Sequence, residues 1–485
     1  MAYEVISIGD GEMMYNAFQG VAMIFGSGNL EKIIKSGFML GTLFISIRYL
    51  TNQEFPLHHV LVGVTLYSVM FIPTDTVTIE DVYTGDVRVV ANVPIGVAAP
   101  MSIISKMGVN MTEMFETAFS TPSEASMLSA GGVGGGGYLS ALNTLIKLRN
   151  IGIETTGSNA DWQGDLGKTI NLYIENCVMY DLELSEGPHE VTREGLQKSP
   201  DLWAAMKTTF INIDILTFLK NTPSGEQKSC EDAYNAITQY MDDPDFSDKT
   251  DRLVAGELGI TDPAQTAADK IDNAAAALAM AGFDSQKYMR NALMASYLKD
   301  GPSAFIMRTG QEQLNLQWAS EQGMFNEIAR PLMAFVEMFT VAISPIVAFL
   351  STLGPIGMTM MVRYVQMMLW IALWGPLMVV CNVYITLVNT RALTVLADNA
   401  TANGSGMEAM IMHDKLYPTL ETWLSAGGML ASSVPALSLM IVYGGSVAAT
   451  NLAGKMTAGA SSSVNPSRLM AEPATIAPSM NIGGM

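Results

Sequence analysis

Apolar positions recur along this chain in three distinct rhythms. Residues 13–25, MMYNAFQGVAMIF, place Met14, Phe18, Val21 and Phe25 at spacings of four, three and four. That puts them on one face of a helix. The helix is too short to cross a bilayer. It fits a membrane surface, a partner helix, or an ordinary buried packing face. Long apolar runs follow, and a span needs roughly 20 such residues. Five segments come close: Ile33–Leu50, Leu57–Ile72, Leu332–Leu353, Val362–Val388 and Leu424–Leu452. The first two form a helical hairpin. The fourth carries Trp370 and Trp374, and the fifth is rich in Gly, Ala and Ser, suited to close helix packing.

A more polar region separates the second run from the third. It opens with TVTIEDVYTGDVRVVANV, where apolar and polar residues alternate around Tyr83-Thr84-Gly85-Asp86. This predicts a short β-hairpin. Over Pro100–Phe119 the rhythm becomes helical, with Ile104, Gly108, Met111, Phe115 and Phe119 on one face. Gly131–Gly137, GGVGGGG, reads as a flexible break, residues 221–232 and 242–251 read as loops, and Pro263–Ala281 reads as an Ala-rich helix.

The expected fold is therefore mainly α: a polytopic membrane protein of about five transmembrane helices with a large, mostly helical soluble insert carrying a small β-hairpin. Its parts are an N-terminal amphipathic segment (1–30), a transmembrane hairpin (31–73), the insert (74–330), a bundle of about three membrane helices (331–455) and a flexible tail (456–485).

Composition supports this division. Of 485 residues, 49% are hydrophobic and only 15% charged, against roughly 25% charged in an ordinary soluble domain. The 36 methionines fit core filling or an adaptable apolar surface. The net charge of -20 lies mostly in the insert. It disfavours binding to nucleic acid through phosphate. The first twenty residues carry Glu4, Asp10 and Glu12 but no Lys or Arg, so no cleavable leader is expected.

Three cysteines occur. Cys381 falls in the fourth apolar run. Cys177 and Cys230 both fall in the insert, which suggests a disulfide formed in an oxidising compartment; two separate buried thiols are the other reading. Charge in the short loops does not orient the chain, because Lys and Arg flank the runs on both sides.

No catalytic or cofactor chemistry is legible, so the chain is not expected to be an enzyme. His58, His59, His189 and His413 are the only histidines, and no HExxH or CxxC spacing exists, which argues against zinc. Asp161–Thr169, DWQGDLGKT, ends like a phosphate-binding loop but has Trp162 where that loop needs Gly. The one polar feature that stands out is Glu337, inside the third apolar run. An intramembrane carboxylate is costly. Glu337 could face a water-filled passage, accept a hydrogen bond from a neighbouring helix, or snorkel to the interface.

At Asn92–Pro122, NVPIGVAAPMSIISKMGVNMTEMFETAFSTP, and again at Glu175–Leu182, ENCVMYDL, the chain resembles the TraG family of conjugative transfer proteins. The resemblance implies an inner-membrane component of a type IV secretion system, with the insert in the periplasm. It implies roles in pilus assembly, DNA transfer and mating-pair stabilisation. Membrane lipid, other secretion and pilus-assembly proteins and further copies of the chain, in a ring, are the implied partners. The family is longer than 485 residues, so a fragment or a short member is expected. In that reading the helix face from Ile104 to Phe119 is expected to be a self-association or pilus-contact surface. A channel or transporter subunit built around Glu337 is the alternative.

Overall fold

A computed structural model gives the chain's architecture. It describes residues 3–52, 57–82, 85–119, 121, 126, 128, 137–149, 166–183, 190–209, 213–219, 224–258, 260, 265–280, 283–300, 331–353 and 355–444. The glycine-rich break (131–136), the start of the DWQGDLGKT segment and the tail from residue 456 lie outside the described residues.

The N-terminal unit is a three-stranded sheet, order β1-β2-β3. The expected hairpin is present: β2 (Thr74–Asp81) pairs antiparallel with β3 (Val87–Pro94). An unexpected strand, β1 (Tyr3–Ser7), adds to β2 in parallel, with Val5 opposite Ile79. Helix α1 (Gly11–Phe25) packs its periodic face inward, burying Met14, Phe18 and Val21 against Val77, Ile79, Val90 and Val93. The four-three-four spacing thus marks a buried packing face. Two serines of α4 (Ile95–Ala118) cover the backbone of β1. Ile6 N–H donates to Ser105 Oγ at 3.2 Å, and Ser102 Oγ donates to the Glu4 carbonyl at 2.6 Å. An edge strand is thereby closed to further pairing.

Helices α2 (Gly28–Asn52) and α3 (Leu57–Met70) form the first hairpin. The second core is a helical lobe. It is built from α5 (Ser140–Arg149), α6 (Leu166–Tyr173), a π-helical turn (Ile174–Val178), α7 (Met179–Glu183) and the short α8 (Arg193–Lys198) and α9 (Leu202–Ala205). A two-stranded ribbon of β4 (Asp214–Thr217) and β5 (Glu226–Ser229) follows. Then come α10 (Cys230–Met241), α11 (Pro244–Glu257), α12 (Ala267–Ala277) and α13 (Ser285–Asp300). The expected loops at 221–232 and 242–251 are in part regular structure. Pro244 opens α11, where proline's missing N–H costs nothing, and the acidic residues that suggested a loop favour a helix N-terminus.

Cys177 and Cys230 are bonded, with Cα atoms 5.8 Å apart. Both are fully buried beside Trp203, which stacks on Tyr234 at 4.9 Å between centroids.

Among the described residues, three helices are long and apolar enough to cross a membrane: Pro331–Ser351, Gly357–Ala402 and Lys415–Tyr443. The first is α14. The second joins α15 (Pro355–Ala372) to α16 (Trp374–Ala402), and the third lies in α17 (Met410–Tyr443). The expected five spans are therefore not established. Helix α3 has 14 residues, a rise of about 21 Å at 1.5 Å per residue, short of the roughly 30 Å hydrocarbon layer. Helix α2 has the length, but several of its side chains lie outside the described residues.

The second candidate, at 46 residues, is longer than one crossing needs. Its far half enters the lobe. Ile385, Leu393 and Ala400 of α16 join the lobe core, as do Met412, Leu416, Leu420 and Leu424 of α17. One helical hairpin therefore belongs to both the apolar bundle and the lobe.

The cross-link closes a loop of 53 residues. In the chain-entropy model this stabilises the lobe by roughly 4 kcal/mol. Replacing both cysteines by serine lowers the unfolding midpoint followed by tryptophan fluorescence, and an unchanged midpoint assigns the bond no stabilising role.

Candidate functional site

Glu337 is a heavily engaged polar group in the apolar bundle. It sits on α14 and is 6% exposed. Its partners come from the β1–α1 connection, about 330 residues away in sequence. Ser7 Oγ donates to Oε2 at 2.9 Å and Gly9 N–H donates to the same oxygen at 3.3 Å. Ile8 N–H donates to Oε1 at 3.5 Å. The connection can lie this close because residue 9 is glycine; a Cβ there would collide with the Ala334 backbone.

Two further carboxylates hold the same turn. Asp10 Oδ1 caps α1 by accepting from Glu12 N–H at 2.8 Å and Met13 N–H at 3.0 Å, a favoured arrangement at a helix start. Asp81 Oδ2, at the end of β2, accepts from Gly11 N–H at 2.8 Å. Beside them Lys106 of α4 pairs with Glu4 of β1 at 2.6 Å and holds the Glu4 carboxyl below its usual range. Glu337, Asp10 and Asp81 together fix the path of residues 7–13. Each such hydrogen bond contributes roughly 0.5–1.5 kcal/mol, and a buried donor or acceptor left unpaired costs roughly 1–3 kcal/mol.

This arrangement fastens one structural unit to another. Carboxylates only accept hydrogen bonds, and both Glu337 oxygens take theirs from the N-terminal turn. Of the three roles open to Glu337 in the sequence, the structure shows acceptance of hydrogen bonds. The donors come from a turn, however, rather than from a neighbouring membrane helix. Among the described residues no group of three or more His, Cys, Asp or Glu side chains could hold a metal ion.

The residues of the face expected to bind a partner fall in different settings. Ile104 is buried in the N-terminal core. Gly108 lies against the Ala372 backbone, where a Cβ would come within 2.8 Å of the Ala372 carbonyl oxygen. Phe115 packs against the cluster of Trp374, Met378 and Val434 and stacks on Phe119 at 6.1 Å. Met111 is half-buried, and Phe119 alone of the five is exposed. Helical spacing identified an apolar face, but α15 and α16 occupy most of it. The opposite side of α4 is the open one: Ile103 is 67% exposed and Met114 60%.

Ser7, Gly9 and Asp81 were not singled out from the sequence. The segment SIGDGEM does hold a signal, an Asp between two glycines before a periodic helix.

Fold and site describe a mainly helical chain with three helices fit to cross a membrane, a small sheet and a disulfide-bonded lobe. The chain belongs to the family of TraG-like proteins, N-terminal region, whose model matches residues 4–463. A relative, Protein TraG of Escherichia coli (strain K12), is 26% identical over 203 residues. That match covers 41% of this chain and 20% of the relative. No solved structure gives a significant match.

Replacing Glu337 by Ala strands the donors of Ser7 and Gly9 and lowers stability in detergent by about 2–3 kcal/mol. Glu337→Gln keeps an acceptor oxygen and costs less. Gly9→Ala loosens the same turn by collision, exposing the N-terminus to protease. Equal melting of all three variants and the parent chain removes the clamp.

Proposed function

We propose that this chain is an inner-membrane scaffold of a conjugative type IV secretion system. It would serve pilus assembly, DNA transfer and mating-pair stabilisation through binding, without catalysis. Family membership supports the setting. The observation that carries the scaffold reading is the α16–α17 hairpin, which runs unbroken from apolar bundle to lobe core. A lobe built on membrane helices is held at a fixed height and angle. It is thus suited to present a surface to other secretion and pilus-assembly proteins and to further copies of the chain.

The lobe faces the periplasm in this reading. The buried Cys177–Cys230 bond supports that side, since such bonds form in oxidising compartments. A channel role through Glu337 has less support, because the Glu337 oxygens are engaged by Ser7, Ile8 and Gly9.

Arg252 on the lobe has a side chain 78% exposed. A cysteine placed there is labelled by a membrane-impermeant maleimide in intact spheroplasts; labelling only after lysis reverses the orientation. Glu337→Gln separates the two roles. A scaffold retains DNA transfer in a mating assay, whereas a passage that needs the charge loses transfer while the protein still accumulates and assembles.

A further inference from the structure

The open side of α4 has the pattern of a helix seam. Ile103, Met107, Asn110, Met114 and Thr117 follow one another at spacings of four, three, four and three. That is the repeat by which two helices interlock along a left-handed coiled coil. All five are exposed, on the side of α4 away from Ile104 and Gly108. Ile103, Met107, Asn110 and Met114 line a shallow groove with Lys106 and Met111. We propose that this seam pairs with the same seam of a second copy of the chain, in parallel and in register, with Asn110 meeting Asn110.

The direction follows from how α4 is held. Gly108 touches Ala372, and Gly375 touches Thr112. Four residues forward along α4 correspond to three forward along the helix Gly357–Ala402, so the two run side by side in one direction. That helix is a candidate membrane span. Copies inserted in one bilayer share an orientation, so their α4 helices point the same way. Pairing them about an axis along the membrane normal is therefore parallel and self-matching.

The occupant follows from Asn110. An amide both donates and accepts, so it satisfies its own symmetry mate. A polar Asn inside the seam favours the register in which it meets its mate, at a cost in stability. Lipid offers Asn110 no such partner. Charge agrees: Lys106 and Glu113 flank the seam on one side. A parallel, in-register second copy presents Met111 and Ala118 there, so no like charges are opposed. Lys106 is also neutralised by Glu4 of its own chain.

The inference rests on the membrane-spanning reading but on no role in transfer, so its test does not read transfer. In native membranes, with Cys381 replaced by Ser, Met107→Cys and Met114→Cys give disulfide-linked dimers under mild copper oxidation. Tyr384→Cys, exposed elsewhere on the bundle, does not. Adding Asn110→Lys places like charges face to face and abolishes the dimers while the lobe's Cys177–Cys230 bond still resists alkylation. Equal cross-linking at Tyr384 overturns the proposal, as does survival of the dimers with Lys at 110. So does monomeric Met107→Cys whose thiol is labelled by acyl chains that carry a thiol-reactive maleimide, which makes lipid the occupant.

Discussion

The structure depends on one constraint: two helices that leave the apolar bundle must not end at its boundary. In a bilayer every backbone N–H and C=O needs a partner within the chain, and a helix supplies all of them. A helix that stops at the interface instead exposes its last carbonyls. Here α16 and the first half of α17 continue as helices into the lobe, where Leu393, Leu416 and Leu420 sit at or near zero exposure. The lobe core closes around them. Removing that continuity would leave the lobe without a wall and the bundle without its two longest helices.

The same logic explains the N-terminal unit. A three-stranded sheet is about the smallest that can be stable by itself. This one gains by packing against α14 and α15 through Val341, Val347, Tyr364 and Met368. Apolar burial supplies most of the adhesion but is indifferent to register. The Glu337 hydrogen bonds to Ser7, Ile8 and Gly9 supply direction, because they form in only one alignment of the turn on the helix. A buried carboxylate is tolerated here because its donors arrive with the fold.

What the sequence disclosed follows from the range of each interaction. The β2–β3 hairpin, the α1 face and the Ala-rich α12 rest on neighbours within a few residues, and local periodicity found them. The cysteine pair was legible because few other partners existed. Strand β1 was not, since YEVIS has no turn beside it and pairs with residues about 70 positions away. Glu337 was conspicuous for its cost, but its donors lie on the far side of the lobe in sequence. On α4 the periodicity did not say which face the chain itself covers: a helix with Ile104 and Phe115 on one side and Ile103 and Met114 on the other has two apolar faces. Only the position of Ala372 and Gly375 decides which one is used within the chain.

That two-sidedness ties the parts together. Helix α4 follows directly on β3, seals β1 with Ser102 and Ser105, lies along the α15–α16 helix, and still carries an unspent stripe. A helix buried on all sides within one chain would be apolar all round. A helix meeting only solvent would be polar on its outer face. Helix α4 is neither, because its outer face keeps Ile, Met and Met around a single Asn. The inner face is matched to Ala372 and Gly375 at close range, whereas the outer face has the spacing of a helix seam. In the proposed pairing, this one element joins the fold of the single chain to a second copy. The carboxylate clamp at Glu337 holds the sheet against the bundle, and so fixes the angle at which that junction is presented.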